Sequence, residues 1–133
     1  MGADQHVRSG SPYEDTIGFS RAVRAGRRVL VSGTAPIWPD GSCAPDASAQ
    51  AKRCFEIIAT ALAEAGATLD DVVRTRMYVT SAEDAGAVTD AHRAAVGGAR
   101  PAATIVVVAG LIDPRWKVEI EAEAVVAPAG PGS

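Results

Sequence analysis

Lys117 to Val125 alternates without a break. Lys117, Glu119, Glu121 and Glu123 point one way, and Val118, Ile120, Ala122 and Ala124 the other. A period of two over that length specifies a strand with one face on a core and one face turned away from it. Three carboxylates in a row on one sheet face repel each other, so they need open water or nearby cations. Upstream, Ile105-Val106-Val107-Val108 is a β-branched run, and Leu111-Ile112-Asp113-Pro114 breaks it. The stretch from Arg100 to Val126 therefore reads as two strands joined by a short turn.

The rest of the chain supplies partners for these strands. Ser20 to Val31 reads as a hairpin turning at Ala25-Gly26-Arg27, and it ends at Ser32-Gly33-Thr34. Pro36 to Pro45 is loop, with turn chemistry at Pro39-Asp40-Gly41. From Ser48 to Ala65, the residues Cys54, Ile57, Ile58, Ala61, Leu62 and Ala65 form one apolar stripe at helical spacing, and Gly66 stops the helix. Val72 to Thr80 is a further strand, with Arg74, Arg76 and Tyr78 on one face and Val73, Thr75, Met77 and Val79 on the other. Ser81 with Asp84 resembles a capping box opening a second helix, whose stripe is Ala85, Val88, His92, Ala95 and Val96.

The predicted order is ββ-α-β-α-ββ, which fits an α+β two-layer sandwich: a single mixed β-sheet with two helices on one face. One domain is expected over residues 13–127, between a loose segment at 1–12 and a loose tail at 128–133. The uncovered sheet face carries Arg74, Arg76, Tyr78 and the three glutamates, and a bare charged face of this kind predicts a homo-oligomer.

Composition removes several function classes. The 133 residues carry a net charge of −3 with no basic run, which argues against nucleic acid as a partner. Cys43 and Cys54 lack metal-ligand spacing, so no metal site is expected. No apolar run approaches the ~18 residues of a membrane span, and the polar N-terminus lacks the apolar core of a secretory signal. A soluble, cytoplasmic protein is the expectation.

Five segments in order, Ser11-Pro12-Tyr13-Glu14, Gly18 to Val23, Val31-Ser32-Gly33-Thr34, Arg100-Pro101-Ala102 and Val118 to Ala122, resemble the RidA (YjgF/YER057c/UK114) family. The resemblance covers about Ser11 to Val126. It implies a chorismate-mutase-like fold and a homotrimer with ligand clefts between subunits. It also implies hydrolysis of reactive imines and enamines such as 2-aminoacrylate, without cofactor or metal. The family's anchor arginine, which grips the substrate carboxylate, falls here on Ala103. Its acidic residue matches Glu119, and a family tyrosine matches Phe19.

Each candidate therefore has two readings. Glu119 is a general acid/base, or a structural partner of Arg74 or Arg76. Arg76 replaces the missing anchor, or forms a salt bridge on the sheet. Gly33 and Thr104 offer a backbone group and a hydroxyl to a ligand beside Phe19 and Ala103. His92 is a catalyst or a satisfied core histidine, while Trp38 and Trp116 line a cleft or cover the core edge. The expected function is hydrolysis of a C–N bond on a metabolite, with a non-catalytic binding protein as the alternative. The endoribonuclease activity of some relatives is a third reading, disfavoured by the charge.

Overall fold

The computed structural model describes residues 4–128. Strands β1 (Gln5–Val7), β2 (Ala22–Ala25), β3 (Arg28–Thr34), β4 (Val72–Val79), β5 (Ala102–Val107) and β6 (Val118–Val125) form one mixed sheet in the order β1-β2-β3-β6-β4-β5. Helices are α1 (Pro12–Ile17), α2 (Ala47–Glu64) and α3 (Ala85–Val96). The predicted single mixed sheet is therefore present, with a third, short helix added.

The alternation in β6 does what its period requires: Val118, Ile120, Ala122 and Ala124 are buried and the glutamates between them are not. The buried set meets α2, which packs across β3 and β6 and against α3. Asp46 caps α2 by accepting the Ala49 amide at 3.0 Å. Its buried side carries Cys54, Ile58, Ala61 and Leu62, and Phe55 is also buried, its ring edge-on to His92 of α3.

Four expectations need correction. The turn predicted between the last two strands does not form a hairpin. β5 pairs parallel with β4, Arg76 opposite Thr104, while β6 lies antiparallel between β3 and β4. Helix α3 serves as the crossover of a β4-α3-β5 unit, and the long connection after β5 returns the chain to the sheet centre. Val73 is not a core residue. A register shift between Val72 and Arg74 places Val72 in the core and leaves Val73 47% exposed. The segment 1–12 is not wholly loose, since Gln5, His6 and Val7 pair with Arg24, Val23 and Ala22. The reciprocal capping box at Ser81 is absent: Ser81 Oγ accepts the Glu83 amide over a 3-10 turn that precedes α3. Most of the tail expected at 128–133 lies outside the described residues.

Candidate functional site

A second irregularity sits where β3 ends. Val31 opposes Ala122 and Thr34 opposes Ile120, so Ser32 and Gly33 together face the single residue between, Glu121. This two-against-one bulge turns the end of β3 and re-aims the side chains beside it. A Cβ on Gly33 would overlap Glu119 Oε2. The carboxylate of β6 occupies the space that a side chain on Gly33 would take.

Glu119 lines a cleft of about 960 Å³ together with Phe19, Arg21, Gly33, Trp38 and Trp116. Its walls come from α1 and the segment before it, the loop after β3, one side of α2 and the connection into β6. Among the described residues Glu119 forms no ion pair, whereas the next two glutamates on the strand do. Burial pushes its pKa above the ordinary glutamate value; the nearby positive charge of Arg21 opposes that shift and the negative charge of Glu121 adds to it.

Arg21 is the residue that sequence reasoning missed. It precedes β2, where alternation marks an arginine as facing away from the core, yet only 7% of it is exposed. Its Nη2 donates to the Gly33 carbonyl at 2.9 Å, and its guanidinium lies 5.2 Å from the centre of the Phe19 ring. Its Nε is buried without a hydrogen-bond partner. Burial lowers its pKa, against the opposing charges of Glu14 and Glu119. Glu14 is itself buried on α1 and is spoken for elsewhere: it accepts the Ser9 amide at 3.1 Å and the Ser9 hydroxyl, and lies 3.5 Å from Arg8 Nε. The one available signal was the placement of Arg21 directly after the Gly18-Phe19 segment and opposite Ser32-Gly33.

Both tryptophans belong to the cleft. Arg53 stacks 3.9 Å above the Trp38 ring, and Trp116 packs edge-on to Tyr13 at 6.0 Å with its indole N–H buried and unpartnered.

The remaining candidates lie elsewhere. Arg76 donates to Glu121 at 3.0 Å and approaches Glu123 at 3.6 Å, and Tyr78 also donates to Glu121, at 3.2 Å. Arg76 lines a separate, smaller hollow with Arg74, Leu30 and Glu123, so within one chain it does not reach Glu119. Ala103 and Thr104 lie on the edge strand β5 and do not line the cleft. His92 bonds Thr75 Oγ1 at 2.7 Å, and burial lowers its pKa. It is a satisfied histidine between helix and sheet. Cys54 is buried against the Thr34 carbonyl at 3.2 Å, and burial drives its pKa far up, so its thiol is inert. No cluster of metal-ligating side chains occurs among the described residues, and no helix there is long and apolar enough to cross a membrane.

The profile of the family described as Endoribonuclease L-PSP matches residues 12–126. An uncharacterized protein of Streptomyces coelicolor is 41% identical over 123 residues, 92% of each chain. A 2-iminobutanoate/2-iminopropanoate deaminase of Salmonella typhimurium is 34% identical over 112 residues, covering 80% of this chain and 86% of the relative. The crystal structure of a YjgF/YER057c/UK114 family member from Mycobacterium tuberculosis superposes with a TM-score of 0.86 at 44% identity, over 93% of this chain and 100% of the other. With the match running from α1 to the end of β6, the chain belongs to the RidA (YjgF/YER057c/UK114) family.

Proposed function

We propose that the protein hydrolyses the C=N bond of a reactive imine, or of the enamine in equilibrium with it, with Glu119 moving the protons. The observation that carries this reading is a half-buried carboxylate, unpaired and raised in pKa, beside a buried guanidinium in the chain's large cleft. In the first step water adds to the carbon of a protonated imine while the Glu119 carboxylate takes a proton from that water, giving a neutral carbinolamine. In the second, protonated Glu119 returns the proton to the amino nitrogen. Ammonia leaves with the C–N bonding pair, the hydroxyl oxygen forms the carbonyl, and its proton passes to solvent. Water and imine become ketone and ammonia, and no redox partner is required. A carboxylate with an elevated pKa suits both roles, because its protonated form persists to higher pH than that of an ordinary glutamate and can return the proton it takes.

Support also comes from the deaminase relative, although the residue at its family's anchor position is Ala103 here. In this reading the protein is a homotrimer. A second copy covers the bare face, where Leu30 and Val106 are exposed, and brings Ala103 and Thr104 of its edge strand toward the cleft. The ribonuclease reading finds less support, since Arg8, Arg53 and Arg115 in the cleft wall are offset by Asp40, Glu64 and Asp113.

The test is ammonia release from freshly generated imines by the wild type and by Glu119→Gln. Release that survives the substitution sinks the mechanism. Light scattering in solution tests the trimer, and a monomer at working concentration would remove the intersubunit part of the reading.

A further inference from the structure

We infer that the cleft takes an aryl-substituted 2-imino acid, with its carboxylate on Arg21 and its ring against the aromatic wall. This deepens the hydrolytic reading above and rests on it for the imine itself. Four observations point to that class of ligand.

Aromatic residues are scarce, two each of Phe, Tyr and Trp, yet Tyr13, Phe19, Trp38 and Trp116 all line this one cleft. At about 960 Å³ the cleft lies at the upper end of the ~300–1,000 Å³ typical of sites for drug-sized ligands. A three-carbon imine would leave most of that wall against water. Large apolar side chains are also exposed along the cleft, with Ile17 68%, Trp38 43% and Ile112 78% accessible. Such clustering marks a surface that something apolar covers.

The polar part of the ligand is set by two unmet donors. A guanidinium carries five N–H groups in a fixed fork that matches a carboxylate. Among the described residues Arg21 donates only one hydrogen bond, to Gly33, and its Nε has no acceptor although the side chain is 93% removed from solvent, being 7% exposed. Glu14, the buried carboxylate nearby, is occupied by Ser9 and Arg8. The indole N–H of Trp116, 5% exposed, is orphaned in the same wall. Buried donors without acceptors are rare in folded proteins, and a carboxylate seated on the Arg21 guanidinium would supply the missing acceptors once these side chains turn toward it. Arg21 would thereby supply the cation that Ala103 cannot, from the residue before β2 rather than from β5.

The experiment separates binding from turnover. Indole-3-propanoate, 3-phenylpropanoate, propanoate and the neutral 3-phenylpropanamide are titrated calorimetrically into the full-length protein. The aryl acids should bind at least tenfold tighter than both propanoate and the amide. Arg21→Gln should abolish the preference for acid over amide, with melting temperature recorded to verify folding. If that variant does not fold, Trp116→Phe, which keeps the ring and removes the donor, should weaken aryl-acid binding severalfold. Equal affinity for acid and amide, propanoate binding as tightly as the aryl acids, no binding of any of them, or unchanged binding in the folded variants each overturns the inference. Aryl-acid binding with these dependences but no ammonia release from any imine would instead sink the hydrolytic reading and leave the ligand class standing. Ammonia release from small imines without an aryl preference would do the reverse.

Discussion

Two ends of one strand carry the same residue type and do different things. On β6, Glu121 and Glu123 lie opposite Arg76 and Arg74, and both enter ion pairs, Glu121 with Arg76 and Glu123 with Arg28 and Arg76. Two residues earlier, Glu119 lies opposite Tyr78 and against Gly33, and among the described residues no cation is bonded to it. The first pair of carboxylates is matched by cations in partly open surroundings. The third is held where its charge is disfavoured. What separates them is the residue across the strand pair: an arginine opposite Glu121 and Glu123, a tyrosine opposite Glu119.

That contrast is broken most severely at its functional end. Glu119→Gln should lower the rate of imine hydrolysis by about 100-fold or more, the usual worth of a positioned acid/base, with little change in melting temperature. The matching substitution Glu121→Gln should leave turnover within a few-fold of wild type. If the two variants were equally impaired in ammonia-release assays, the two ends of the strand would not differ in kind.

Gly33→Ala sharpens the same contrast from the opposite strand. The new methyl would meet Glu119 Oε2, the far end of a flexible side chain, and Gly33 does not require a positive φ. The carboxylate therefore swings aside. Stability should fall by under about 1 kcal/mol, while kcat drops roughly tenfold or more because the base leaves its position. Thermal melts and steady-state kinetics on one preparation check both halves; intact kinetics would show that the close approach is incidental.

The acid limb of kcat/KM should lie above the ordinary range of glutamate, because the base works only when deprotonated and its pKa is raised. Activity then rises with pH through that elevated value. The limb should be missing from any residual activity of Glu119→Gln. A limb in the usual carboxylate range would place the proton elsewhere.

Arg76→Gln tests the structural end. Its salt bridges join side chains that are 41% and 30% exposed, so screening by solvent keeps their contribution below about 1 kcal/mol. Turnover should be unchanged.

His92, bonded to Thr75 on the helix-covered face of the sheet, gives the smallest effect. Its folded pKa is lowered from 6.5, so the stability it supports is present above that value and is lost as pH falls through it toward the folded one. His92→Gln should flatten that part of the stability-versus-pH curve in chemical denaturation. An unchanged curve would mean that His92 is not the group responsible.

Much of this contrast is legible in the sequence. Strict alternation from Lys117 to Val125 placed all three glutamates on one sheet face, and the helical stripe around Ile58 and Leu62 placed the layer on the other. The family resemblance pointed to Glu119 and Gly33. What alternation does not encode is which strand lies alongside. β5 and β6 are neighbours in sequence, yet β4 lies between them, because parallel pairing through α3 is a tertiary choice. Arg21 was hidden for a similar reason. Its burial depends on what the preceding segment and α1 cover, and a six-residue helix opened by Pro12 leaves too short a stripe to announce itself. Arg76 looked like the natural partner for Glu119 because all the polar positions share a face, but the register sets it opposite Glu121.

The difference between the ends of β6 is tested most directly by titrating the glutamate side-chain carboxyls by carbon-13 NMR, with resonances assigned through Glu119→Gln, Glu121→Gln and Glu123→Gln. We expect Glu119 to lose its proton above the ordinary glutamate value of 4.5. A Glu119 that titrates at or below 4.5 would contradict the central claim that one carboxylate on this strand is set apart for proton transfer.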